Sequence, residues 1–435
     1  MKKILIRLIL LLVVVFVCVA LVNIPEKEIT VTENLNKTVV KKNLSPAFKS
    51  NIKTGNVSGT WSKKSSPYLI KGEITIPDGE TLTIEPGVEV IFEGHYKFNV
   101  QGRILAIGTE KDTVTFTAKE KETGWHGIRF ENIPASNDSS KIIYCKLEYG
   151  KANSGIQVND RLGGAICATI DKLRISHCLF RNNMTYSQKL DESGGGAIFS
   201  SGSPVIEYCE FCYNESTFGS ALLIFQSNIS PVIRNNYFHH NGGHGTINIG
   251  SWGGINTSPV FMNNIIANNH SNGHGVIHFS NGGGQTVFIN NTIVNNTCDG
   301  DGGAIFTNYE TAKPLFINTI IYGNKPAQVR LEMESELHFL NCIIEGGKDK
   351  FSGESFSDTY QNIIEDDPQF SDEASFDFHL KVGSPCIGRG VYSVEVGEIW
   401  YYAPKIDFEG NPRPNPLGTA TDIGAYESNS PKSSN

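Results

Sequence analysis

Eight short segments of this chain align into columns that recur too regularly for an ordinary globular fold. Set beneath one another, "IIYCKLEYG", "ISHCLFRNN", "IEYCEFCYN", "IRNNYFHHN", "FMNNIIANN", "FINNTIVNN", "FINTIIYGN" and "FLNCIIEGG" share one column that reads Cys145, Cys178, Cys209, Asn236, Asn264, Asn291, Thr319 and Cys342. Successive members lie 23 to 33 residues apart. Two positions on, on the same face of an extended strand, stand Leu147, Phe180, Phe211, Phe238, Ile266, Ile293, Ile321 and Ile344, all apolar. Three positions further come Gly150, then Asn183, Asn214, Asn241, Asn269, Asn296 and Asn324, then Gly347. A second motif lies upstream in each repeat: GGAI at 163 and 195, GSAL at 219, HGTI at 244, HGVI at 274 and GGAI at 302. A repeat of this kind decides the fold before any other feature is weighed.

The period is too short for a strand–helix–strand unit and is rich in Gly, Asn and β-branched residues. It fits about three short strands joined by tight turns. Stacked coils of such a chain lie ~4.8 Å apart, so equivalent residues form ladders. Asparagine suits a ladder at a turn because it tolerates left-handed backbone and its amide can bond the amide above. The sequence therefore predicts an all-β parallel β-helix, one long solenoid.

With those motifs in hand, the chain resembles the secreted right-handed parallel β-helix repeat proteins, related in fold to pectate-lyase-like enzymes. The GGAI and FxxN phrasing is similar to the repeats of polymorphic outer-membrane proteins. The segment "GEITIPDGETLTIEPGVEVIFEGHYKFNVQGRILAIGTEKDTVTFTAKEKETGWHGIRF" resembles the capping coils of that group. "DPQF", "FHLKVGSPCIGRG", "DFEGNPRP" and "DIGAYE" resemble the C-terminal module of secreted bacterial β-helix proteins with variable anchors. The resemblance implies a single-stranded right-handed solenoid with caps at both ends, in the periplasm, at the outer surface or secreted. It implies no particular reaction.

The ends of the chain supply the context. Lys2, Lys3 and Arg7 precede an uncharged apolar run from Leu8 to Val22, short of the ~20 residues that span a bilayer comfortably. Residues 1 to 22 read as a signal peptide or a signal anchor; Cys18 follows Phe16 and Val17, bulkier than a lipidation site favours. Removing them takes away three positive charges and no negative ones, lowering the formal net charge from −8 to −11. So acidic a chain excludes a nucleic-acid partner, whose affinity comes from Lys and Arg on phosphates. Membrane contact is expected through the N-terminal segment alone. Residues 23 to 55 read as a linker, 56–135 as N-terminal cap and first coils, 136–350 as the repeats, 351–427 as a C-terminal capping module and 428–435 as a tail. Trp61, Pro67 and Tyr68 at one end, and Asp407, Arg413, Asp422 and Glu427 at the other, are assigned to capping, because an open solenoid end is an unpaired sheet edge.

Chemistry is harder to find. Cys209 and Cys212 form a CxxC without the strand–helix pattern of a redox motif, and alone they are at most half a zinc site. Cys145, Cys178 and Cys209 share a column, where they are either disulfide partners on neighbouring coils or small apolar fillers. The sequons at Asn183 and Asn214 follow from the ladder. In the GGAI column the first position becomes His at 244 and 274, so His244 and His274 should meet on adjacent coils. His278 aligns with Asn248, while Asp299 and Asp301 precede the next coil's Gly302. Asp191 and Glu192 approach the same edge from below, and Trp252 lies just past the strand, placed to stack on a sugar.

His244, His274, His278, Asp299 and Asp301 thus form a candidate catalytic group, with Trp252 for carbohydrate. Neutral imidazole is a general base near pH 7, as a polysaccharide lyase would need. Asp299 and Asp301 could serve a glycoside hydrolase, whose two carboxyls lie roughly 5–10 Å apart. Against this, histidine and acid at a Gly-rich turn are commonly plain surface decoration. Arg174, Arg181 and Arg234 are scattered singly, and no Asp array marks a calcium site, although calcium would let so acidic a protein meet an acidic glycan. Three readings stay open: a protein binding a polysaccharide or another envelope component along its flank, a carbohydrate-active enzyme, and a rigid spacer.

Overall fold

A computed structural model describes residues 51–187, 193–251, 257–280, 284–308, 312–333, 335–353 and 359–429. The signal or anchor segment, most of the linker, the end of the tail, Asp191, Glu192 and Trp252 lie outside the described residues. Among the described residues no helix is long and apolar enough to cross a membrane.

The chain is a parallel β-helix. Its strands stack into three long parallel ladders, one per side of each coil, with two-residue strands pairing in parallel at the corner after the asparagine column. The first is a 12-stranded sheet running from Gly59–Trp61 to Tyr360–Gln361. The other two are joined into a 22-stranded sheet by the long strand Tyr68–Ile76, which pairs with Glu89–Phe92 in one ladder and with Phe98–Val100 in the next. The second ladder continues through Glu210–Cys212, Tyr237–His239 and Ile265–Ala267. The third continues through Ile247–Gly250, Ile277–Ser280, Ile305–Thr307 and Val329–Leu331. Strand pairing already includes Asn51–Asn56, inside the stretch read as linker.

The asparagine column does what its spacing predicts. Asn183, Asn214, Asn241, Asn269, Asn296 and Asn324 are all buried. Each side-chain amide donates to the next one's Oδ1 at 2.9–3.0 Å. The Oδ1 also accepts the backbone N–H one coil below, as in Asn214 N to Asn241 Oδ1 at 3.1 Å. A second amide ladder runs through Asn236, Asn264 and Asn291 at the preceding corner. The residue before each ladder asparagine turns the corner with positive φ: Asn182 at 56°, Tyr213 at 55°, His240 at 53°, Asn268 at 55° and Asn295 at 56°. Asn and His are among the residues that tolerate this left-handed region best. The Asn-Asn doublets are therefore one turning residue followed by one ladder residue. Inside the coil, Phe180, Phe211 and Phe238 stack with centroids 4.8 and 4.7 Å apart, each fully buried and contributing roughly 1.5–3 kcal/mol by burial. Cys145, Cys178 and Cys209 are free, buried thiols, so the column uses them as fillers and not as a bridge.

The two ends are closed differently from one another. Trp61 is buried against Tyr68, their rings stacked at 4.6 Å, over the first coil. At the other end, Phe351 and Tyr360 pack on the last coil of the core. The rest of the C-terminal module does not sit over that end, as an edge-capping role would require. It lies along the flank. Phe370, Phe378, Cys386, Ile423 and Ala425 pack on Ile265, Ala267, Val294, Ile320 and Ile343, on the outer face of the second ladder. Val394, Val396 and Tyr401, from the hairpin Ser393–Val396 with Ile399–Tyr402, pack on Val287, Ile289, Leu315 and Ile317 of the first. Turning asparagines hold the module at the corner between them: Asn235 donates to Asp407 O, Asn263 to Ile406 O, Asn290 to Asp422 O and Asn318 to Val391 O. The physical reason is that outward positions in these coils are apolar, so two sheet faces need covering as much as the end does. Asp407, Arg413, Asp422 and Glu427 are buried inside the module, where Arg413 donates to the Asp422, Gly424 and Ala425 carbonyls. That leaves the third flank.

Candidate functional site

The residue after each GGAI-type motif faces outward on the third ladder. Strand register places Arg129, Cys167, Phe199, Leu223, Asn248, His278, Phe306 and Arg330 in one row. Its middle is apolar: Cys167, Phe199 and Leu223 pack together with Leu162. At Asn248 and His278 the row turns polar before Phe306 and Arg330 follow, and the histidines gather beside it. His244 and His274 meet edge to face with centroids 5.8 Å apart. His274 lies flat on Phe306 at 4.7 Å with a 2° interplanar angle, and 4.5 Å from His278. The Arg330 guanidinium stands 6.0 Å from the Phe306 ring on the next coil.

An open depression of about 270 Å³ lies here, lined by Gly273, His274, Gly300, Asp301, Phe306, Arg330 and Glu332. Gly300 could not be replaced freely, since a Cβ there would come 2.2 Å from the Gly273 carbonyl. The close stacking of Gly-rich turns keeps the floor low. Arg330 ties the two acids of the depression together, contacting Asp301 through one terminal nitrogen and Glu332 Oε1 through the other at 2.6 Å. Burial, then the nearby His244, holds the His274 imidazole below its ordinary pKa, which favours the neutral ring.

Two expected members behave differently. His278 is 2% exposed, and burial pushes it down to about 3. Its Nδ1 pairs with the Asn248 amide at 3.0 Å, and Asn248 is oriented by the Ser280 hydroxyl at 2.8 Å. Such a ring is a neutral core histidine that braces the row and touches nothing entering the depression. Asp299 points to His270, at 3.3 Å from Nε2, and Asp301 to Arg330. The two acids therefore face different partners, and Asp301 but not Asp299 lines the depression. A side chain two residues along an extended turn shares a face only if the turn stays extended, and Gly300 between them bends it.

Phe306, Arg330 and Glu332 were missed. Phe306 was within reach, being the residue after GGAI at 302 just as His278 follows HGVI. Arg330 was not, because its coil reads "AQVR" and has lost the glycines that mark the register. Among the described residues, the His, Cys and acid side chains with converging donor atoms are Glu210, Cys212 and His239, on the second ladder and not here.

No protein-family model and no curated protein matches the chain. Among solved structures, one similar chain is pectate lyase Pel9A, with a TM-score of 0.36 and 13% identity over 88% of this chain and 98% of that one. The fold rests on the strand pairing described above, and a likeness at this level adds nothing about chemistry.

Proposed function

We propose that this chain is an exported cell-envelope protein that binds a glycan along the third flank of its solenoid, at the His274–Phe306–Arg330 depression, without turning it over. The observation that supports this reading is the combination of lining groups: the half-buried His274 imidazole, backed by the buried Phe306 ring, beside a guanidinium bridged by two carboxylates. Aromatic faces take the C–H face of a sugar, and charged groups at their edge take its hydroxyls. At about 270 Å³ the depression is smaller than the roughly 300–1,000 Å³ of an enclosed ligand pocket, which suits one residue of a long polymer lying across the coils. The acidic chain favours a neutral polysaccharide over a polyanionic one. Export rests on the sequence of residues 1 to 22.

Binding is preferred to hydrolysis because both acids of the depression are engaged by Arg330, whereas a hydrolase needs one carboxyl as acid and a second as base or nucleophile. One observation favours a lyase as second reading: neutral His274 beside Arg330 pairs a base with a group that could neutralise a uronate. The test uses the full chain with neutral and acidic polysaccharides, with and without calcium, following retention, new reducing ends and new unsaturated ends. Retention by a neutral glycan, lost in a Phe306→Ala, His274→Ala variant and without product, is expected. Unsaturated product would establish the lyase. Neither retention nor product would leave the spacer.

A further inference from the structure

On the second ladder, away from the depression, two adjacent coils bring together a donor set of a different kind. Glu210 and Cys212 alternate outward on one strand, and His239 lies directly opposite Cys212 on the next. One ligand atom from each of the three lies within 4.8 Å of the others. A tetrahedral zinc ion with Zn–S of about 2.3 Å and Zn–N and Zn–O of about 2.0 Å holds its ligands somewhat closer than that, which side-chain rotation on fixed strands supplies. We propose that Glu210, Cys212 and His239 bind one zinc ion, with the fourth position left to water.

The surroundings fit a metal site. His239 Nδ1 faces His240 Nδ1 at 2.8 Å while its Nε2 faces Glu210 Oε1 at 3.1 Å. Without metal, the His239 Nε2–H donates to Glu210 Oε1; with zinc on Nε2 the ring proton sits on Nδ1 and donates to His240. An outer partner that fixes the imidazole tautomer is a regular feature of metal-bound histidine. Cys209 takes no part. It belongs to the inward column, bonded to the Glu207 carbonyl, so the CxxC at 209–212 has its thiols on opposite faces and cannot chelate. The site is built across coils, 27 to 29 residues apart in sequence, and local spacing does not reveal it. Binding replaces the Cys212 S–H bond with a Zn–S bond and releases one proton to solvent, so affinity falls in acid.

Zinc here would pin one coil to the next at the margin of the C-terminal module, because His240 packs edge-on against Phe376 at 5.4 Å. The test is equilibrium dialysis of the full chain, stripped of metal, against zinc at neutral pH, together with the cobalt(II) spectrum. One zinc per chain is expected, with a thiolate-to-cobalt charge-transfer band that Cys212→Ser abolishes and Cys298→Ser preserves. Glu210→Gln, which leaves the fold's packing untouched, should weaken zinc at least tenfold. Zinc uptake equal in the parent and in a folded Cys212→Ser, His239→Gln variant would overturn the proposal, as would cobalt bound without the thiolate band.

Discussion

Replacing Asn241 by leucine should show what the amide ladder is worth. The side chain donates to Asn269 Oδ1 at 2.9 Å, to Phe211 O at 2.8 Å and to His239 O at 3.0 Å. Its Oδ1 accepts from Asn214 N at 3.1 Å and from Asn214 Nδ2 at 2.9 Å. Leucine keeps the volume and removes all five bonds. Asn214 Nδ2 retains the Phe180 carbonyl, and Asn269 Oδ1 retains the Asn241 backbone N–H. The Asn214 backbone N–H loses the bond described for it, and the Phe211 carbonyl loses its side-chain donor. At about 1–3 kcal/mol for each of these two buried groups left unmade, the loss should be roughly 2–6 kcal/mol. Aspartate gives the sharper contrast. It keeps the acceptor but turns an oxygen toward the two carbonyls and Asn269 Oδ1, so its buried carboxyl is favoured in the protonated form. The folded state then holds a proton that the unfolded chain gives up near pH ~3.9, and stability of Asn241→Asp should fall as pH rises from there, with no such fall from this position in the parent. Urea unfolding followed by circular dichroism, at several pH values, measures both. A leucine variant within about 1 kcal/mol of the parent would refute the reasoning, since that is what one ordinary hydrogen bond contributes.

Asn268 turns its corner at φ 55° with its side chain outside the ladder, so Asn268→Gly should be nearly neutral while Asn268→Val costs about 1–2 kcal/mol in the left-handed region, as read from urea midpoints. Burial, against the pull of Arg413, raises Glu427 to about 7. Its contribution is fully present below pH ~4 and is lost as pH rises through about 7, on the order of 3 kcal/mol; Glu427→Gln should flatten that part of the parent's pH profile, and an unchanged profile would contradict it. Cys298 is the one described cysteine that is not fully buried. A thiol reagent under native conditions should therefore modify it first, and Cys298→Ser should remove the fast phase; fast labelling of Cys145, Cys178 or Cys209 would contradict the core packing.

The ladders were legible because period 2 along a strand and a fixed return per coil write themselves directly into sequence. Asn183 to Asn324 needed no structure. The pairing of His244 with His274 was equally readable, since both stand at the first position of the GGAI column. What failed was whatever depended on side-chain direction at turns or on contacts without a period. Asp299 and Asp301, on either side of Gly300, take different partners. His278 follows its column onto a face that looks solvent-exposed in sequence, and neighbouring coils bury it. The C-terminal module has no repeat at all, and its resting place was written in the solenoid instead, in apolar outward residues such as Ile265, Val294 and Ile320. Glu210, Cys212 and His239 meet only because two coils stack.

Hydrogen exchange of the full chain, with and without the polysaccharide that retains it, tests the binding flank most directly. Protection should rise at residues 272–278, 300–306 and 329–332 and fall to nothing in a Phe306→Ala, His274→Ala variant. Protection confined to the first or second ladder, or unchanged by that variant, would contradict a glycan site at His274, Phe306 and Arg330.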